Sequence, residues 1–152
     1  GDHTAGLADG FMHPVTGLDH VLIAIAAGFW AGRAGDHGVS DVVYYRSLLL
    51  GGILLGSCCL LFPLLQLSTI LVILLTVAFV AASIAAPQYF AYIFFGGFAL
   101  YHGIVHMLEM PVLATAAGYV IGLLFSTGLL LLLGLILRQV VVTRKPHSET
   151  TS

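Results

Sequence analysis

The chain has 152 residues, of which 59% are hydrophobic and only 8% are charged. Soluble domains carry about 25% charged residues, so this composition, with a mean hydropathy of +1.06, excludes an ordinary soluble globule and predicts a single membrane domain. A formal net charge of −2 and the absence of a basic patch exclude nucleic acid as a partner.

The first polar string occupies residues 13–20 and reads HPVTGLDH. Pro14 suits the first turn of a helix, and a helix that begins there would place His13 and His20, seven residues apart, on one face. Asp19 would lie about 100° around the helix from His20. Asp19 could bind an ion directly, or accept the ring N–H of a histidine that does.

A bilayer span takes about 20 largely apolar residues, and five segments reach or approach that length. These segments are 18–34, 44–64, 67–86, 89–109 and 112–142. Three small-x-x-x-small patterns, which allow helices to approach closely, begin at Gly28, Gly52 and Gly118. We therefore predict an all-α polytopic bundle of about five spans over residues 1–142, followed by a polar cytoplasmic tail at 143–152.

The basic residues predict the orientation of this bundle. With five spans, all of them fall on one side: Arg33, Arg46, Arg138, Arg144 and Lys145. The positive-inside rule makes that side cytoplasmic and places the N-terminus outside. Because the chain starts at Gly1 without Met, we expect a cleaved export signal and a bacterial-type inner, or thylakoid-like, membrane.

The second polar string occupies residues 102–109 and reads HGIVHMLE. His102, His106 and Glu109 stand at i, i+4 and i+7, which is one helical face. In the predicted topology both strings lie at the outer end of the bundle, so they converge. Ionisable groups inside a membrane are costly and by default mark a functional site. Imidazoles with carboxylates suit nickel, cobalt, zinc and copper, although a hydrogen-bonded structural network is the alternative.

Enzymatic chemistry has no support in the sequence. Ser57, Ser68, Ser83 and Ser126 have no histidine close to them in the chain, and the His-Glu-x-x-His motif of intramembrane metalloproteases is absent. We therefore predict that the protein is not an enzyme.

The two strings together resemble the HupE/UreJ family over nearly the whole chain. The matching pattern is His13-Pro14-x-x-Gly17-x-Asp19-His20 followed by His102-Gly103-x-x-His106-x-x-Glu109-x-Pro111. The resemblance implies a small permease, associated with hydrogenase and urease gene clusters, that imports Ni²⁺ or Co²⁺ across the inner membrane. It also implies the residues that engage the metal: His13, Asp19, His20, His102, His106 and Glu109.

Two departures from the family pattern support an alternative. Family members commonly have glycine where this chain has Met107, and a histidine in the last helix where this chain has leucines at 129–131. The alternative is an accessory structural subunit that packs against other membrane proteins or its own copies. A weaker alternative is copper handling by Met12, Met107 and Met110, which flank the strings.

Overall fold

A computed structural model describes residues 3–33, 38–58, 69–83, 87–111 and 113–143 of the chain. Within these residues the fold is entirely helical, which confirms the all-α prediction. The helices are α1 (His3–Thr16), α2 (Leu18–Ala31), α3 (Gly38–Cys58), α4 (Thr69–Ser83), α5 (Gln88–Leu108) and α6 (Ala116–Thr143).

Three of these helices, α3, α5 and α6, are long and apolar enough to cross a membrane. The pair α1 and α2 would add a fourth crossing if it forms one span, but its two halves meet at an angle of 79°. Helix α4 has 15 described residues, fewer than the about 20 that a span needs, and it is flanked by residues outside the described part. The count of five spans and the cytoplasmic side of the bundle stay predictions.

The N-terminal region differs from the sequence prediction. Pro14 does not open the first span but lies inside α1, in its last turn, and is buried. The chain then bends at Gly17, whose extended backbone (φ −93°, ψ 115°) interrupts the helical pattern. The prediction that His13 and His20 share one helical face is therefore wrong, because the two residues lie on different helices.

Glycines bring the helices into close contact. Helix α3 packs mainly against α5, and α6 packs against both α1 and α2. A side chain at Gly28 would overlap the backbone of α6 at Leu131, and one at Gly52 would overlap the backbone of α5 at Leu100. Both positions belong to the small-x-x-x-small patterns, so their predicted role in close packing is confirmed.

A polar cluster ties α2, α3 and α5 together at the end of α2 that is distant from His20. Arg33 Nη1 donates to Asp41 Oδ2 at 2.9 Å, and the Tyr92 hydroxyl donates to the other carboxylate oxygen. The Arg33 guanidinium also lies over the ring of Trp30, 4.2 Å from its centroid. Asp41 is only 1% exposed, so its charge is balanced inside the protein.

Candidate metal site

The structure brings the six side chains of the two polar strings into one cluster where α1, α2 and α5 meet. Helix α1 supplies His13, the first turn of α2 supplies Asp19 and His20, and the last two turns of α5 supply His102 and His106. Glu109 follows directly after α5. The predicted convergence of the two strings is thus a feature of the fold, whereas binding of a metal by these residues stays a prediction.

The shortest contacts in the cluster join residues that are distant in the sequence. His13 Nε2 lies 2.9 Å from Glu109 Oε2, and His20 Nδ1 lies 3.2 Å from His106 Nε2. His20 Nε2 is 3.6 Å from Asp19 Oδ2 and 3.9 Å from Glu109 Oε2. His20 therefore lies at the centre of the cluster.

Two groups of residues have ligand atoms close enough to share one ion. His13, His20, His106 and Glu109, here called the outer group, have ligand atoms within 4.8 Å of one another. Asp19, His20 and His102, here called the inner group, meet the same limit. His20 belongs to both groups.

The spacing of His20 and His106 is close to that of two ligands on one ion. Imidazole nitrogens bind zinc at about 2.0–2.1 Å, so two of them at bond angles of about 90–110° lie about 3.0–3.4 Å apart. The 3.2 Å between His20 Nδ1 and His106 Nε2 falls in this range. An ion could therefore replace the hydrogen that the two rings share with little movement of either helix.

Burial and hydrogen bonding leave two histidine nitrogens of the cluster without a hydrogen or, within the described residues, without a hydrogen-bond partner. His102 Nδ1 lies 3.0 Å from the Phe98 carbonyl oxygen, which can only accept, so Nδ1 carries the hydrogen and Nε2 keeps its lone pair. This is the usual arrangement of a metal-binding histidine. His106 is 2% exposed, and its Nδ1 has no partner within the described ranges.

The charges of the cluster suit a divalent cation. Asp19 and Glu109 supply two carboxylates, and the side chain of Glu109 is 35% exposed while that of Asp19 is 16% exposed. The hydrogen bond from His13 lowers the pKa of the Glu109 carboxyl below its usual value, although partial burial opposes this effect. Glu109 is therefore ionised at neutral pH, and its negative charge suits a cation.

Gly17 gives the His20 ring the room it needs. A Cβ at this position would lie 2.6 Å from His20 Cδ2 and 3.2 Å from Asp19 Oδ1. Since the φ of Gly17 is one that any residue adopts, the requirement for glycine is the close approach of these side chains rather than the backbone conformation.

The two departures from the family pattern have different structural settings. Met107 is partly buried against the hydrophobic core and contacts Gly56 of α3, so this methionine fills a contact between α3 and α5. In α6, Thr127 donates to the Leu123 carbonyl oxygen at 2.8 Å. Ser126 is fully buried, and its hydroxyl has no partner in the part of the chain that the structure describes.

Sequence reasoning missed one polar residue beside the cluster. The ring of Tyr119, in the first turn of α6, lies 5.9 Å from the ring of His13, measured between centroids. The sequence offers no spacing signal for this residue, because its position depends on the packing of α6 against α1. To predict this contact, one would first have to predict α1, the helix that ends before Gly17.

Comparison of the sequence with known proteins identifies a family and a relative of this chain. A family model described as HupE / UreJ protein matches residues 1–151. The chain is 36% identical over 136 residues to a protein described as Protein HupE from Rhizobium leguminosarum bv. viciae, and the aligned region covers 89% of this chain and 71% of that protein. No solved structure matches the chain.

Proposed function

The chain belongs to the HupE/UreJ family, and from this premise we propose that it is a permease that binds a divalent transition metal and passes it across the bacterial inner membrane. The family is associated with nickel and cobalt uptake for hydrogenase and urease, so Ni²⁺ is the first candidate and Co²⁺ the second. The observation that supports the proposal most directly is the convergence of four histidines and two carboxylates from three helices.

The two groups of the cluster suggest successive positions for the ion. His13 and Glu109, with side chains 24% and 35% exposed, are the more accessible ligands and would receive the ion first. His102, 3% exposed and one helical turn before His106, belongs to the inner group. Because His20 belongs to both groups, it would keep its bond to the ion while the remaining ligands exchange.

The proposal is tested by titrating the purified protein with Ni²⁺ and measuring its metal content. We expect about one ion per chain, loss of binding in His20→Ala, which removes a ligand from both groups, and weaker binding in the His102→Ala and His106→Ala variants. His147→Ala is the matched control, since this histidine lies in the polar tail that the sequence predicts, and it should bind like the wild type.

The alternatives predict different results of the same titration. If the intact protein binds no transition metal, the permease proposal is wrong and the accessory-subunit hypothesis gains support, above all if the protein copurifies with a larger complex in fixed stoichiometry. A tighter affinity for Cu(I) than for Ni²⁺ would favour copper handling. Uptake of Ni²⁺ into proteoliposomes then distinguishes transport from binding alone.

A further inference from the structure

The hydroxyl of Tyr119 is a buried polar group without a hydrogen-bond partner among the residues that the structure describes. None of the surface of Tyr119 is exposed. A buried tyrosine hydroxyl usually has a partner, because leaving it unpaired destabilises the folded protein. An unpaired hydroxyl here is therefore a candidate for a contact that forms only when something binds.

Tyr119 lies beside the outer group. A side chain at Gly10 of α1 would overlap the backbone carbonyl of Tyr119, so this glycine lets α1 and α6 approach closely one turn before His13. The rings of Tyr119 and His13 are 5.9 Å apart, and His13 Nε2 is 2.9 Å from Glu109 Oε2, so Tyr119 and Glu109 have His13 as a common neighbour.

Binding of an ion would change the hydrogen bonds of Glu109. Without an ion, Glu109 Oε2 is 2.9 Å from His13 Nε2 and accepts its hydrogen. A nitrogen that binds a metal must give up its hydrogen, so this hydrogen bond is lost when both residues turn to the ion. One oxygen of Glu109 then faces the ion, and the other needs a donor, because carboxylates that bind metals are themselves hydrogen-bonded.

We propose that Tyr119 is a positioning residue of the metal site, whose hydroxyl donates a hydrogen bond to the Glu109 carboxylate when the ion is bound. The contact fixes the orientation in which Glu109 meets the ion. This inference rests on the proposed function of the cluster, and it assigns a role to a residue of α6, which contributes none of the six candidate ligands.

The test is the Tyr119→Phe variant, which removes only the oxygen atom. We expect its Ni²⁺ affinity, measured by calorimetry on the purified full chain, to fall by about tenfold or more, the usual effect of losing a hydrogen-bond partner of a ligand. Its thermal unfolding temperature without metal should stay the same or rise, because the variant loses an unpaired buried hydroxyl. A hydroxyl with a merely structural role would instead lower that temperature.

Two further variants make the result specific. Tyr45→Phe is the matched control, since Tyr45 is 3% exposed and packs in the core with Ala91 and Phe95; it should leave the affinity unchanged. In a Glu109→Gln background, Tyr119→Phe should cause little additional loss. If the wild type binds Ni²⁺ and Tyr119→Phe binds equally well, or if the two losses are additive, this inference is wrong and the proposed function stands. A wild type that binds no metal would overturn both.

Discussion

His20 connects the two groups of candidate ligands, and its surroundings explain why a histidine is suited to this place. The ring is 9% exposed, faces His106 through Nδ1, and has Asp19 and Glu109 near Nε2. A histidine can bind through either nitrogen while the other one holds a hydrogen-bond partner. With partners on both sides of its ring, His20 stays in the cluster whichever of its nitrogens would bind an ion.

The affinity for Ni²⁺ should fall as the pH is lowered from about 7.5 to 5.5. Imidazole binds metal only when neutral, so protons compete with the ion for the histidine nitrogens as the pH falls. Protonation of Glu109 does not contribute, because the His13 hydrogen bond lowers the pKa of its carboxyl, which therefore stays ionised. Calorimetric titration at three pH values measures the effect, and an affinity that rises as the pH falls would contradict competition by protons for these nitrogens.

At the level of single residues, the members of the cluster could be inferred from the sequence, but their hydrogen bonds could not. Ionisable side chains in apolar segments are rare enough to select all six positions in the two strings. The pairing of His13 with Glu109 and of His20 with His106 spans 96 and 86 residues. Such pairs depend on how the helices dock, which a single sequence does not encode in any local pattern.

Among the helices, α5 offers a direct test of close packing. A side chain at Gly103 would overlap the Leu49 carbonyl oxygen of α3, whereas a side chain at Gly97 has open space around it. We expect Gly103→Ala to destabilise the protein by about 1–3 kcal/mol, the usual cost of overpacking. Gly97→Ala, the matched control, should be neutral or stabilising by up to about 1 kcal/mol, because alanine favours helix more than glycine.

Unfolding of both variants in detergent micelles measures the difference. Equal stability of Gly103→Ala and Gly97→Ala would mean that α3 and α5 do not approach each other as closely as the structure has them.

The boundaries of individual helices could be predicted where apolar segments end in clear breaks. The predicted segment 89–109 differs from α5 (Gln88–Leu108) by one residue at each end, because Pro87 and Pro111 flank it. Helix α1 was not predictable in the same way: its residues include Asp9, Gly6 and Gly10, which weaken both the apolar and the helical signal. Gly6 and Gly10 instead allow close contacts with Thr115, directly before α6, and with Tyr119 of α6.

Across the whole molecule, the ion pair of Arg33 and Asp41 fixes the end of the bundle that is distant from the histidine cluster. Asp41→Ala should destabilise the protein by about 3–5 kcal/mol, because it leaves the Arg33 charge partly buried without its partner. The double variant Arg33→Gln/Asp41→Ala should lose less than the sum of the single changes. Thermal unfolding of the single and double variants measures this coupling, with Asp9→Asn, an exposed carboxylate on α1, as the control.

Additive losses in the double variant would contradict the pairing. A loss clearly below about 3 kcal/mol in the single variant Asp41→Ala would instead mean that the aromatic neighbours of Arg33, Trp30 and Tyr92, stabilise its charge on their own.

The bend between α1 and α2 also determines the electrostatic field at the cluster. The backbone dipoles of a helix add up to a partial negative charge of about half an electron at its C-terminus. Because the chain turns at Gly17, α1 ends beside the cluster, and α5 ends there as well, so two such negative ends lie next to His13, His106 and Glu109. The partial positive charge at the start of α2 is opposed by Asp19 in its first turn. The ends of α1 and α5 therefore favour a cation at this place, and Asp19 offsets the opposing positive charge at the start of α2.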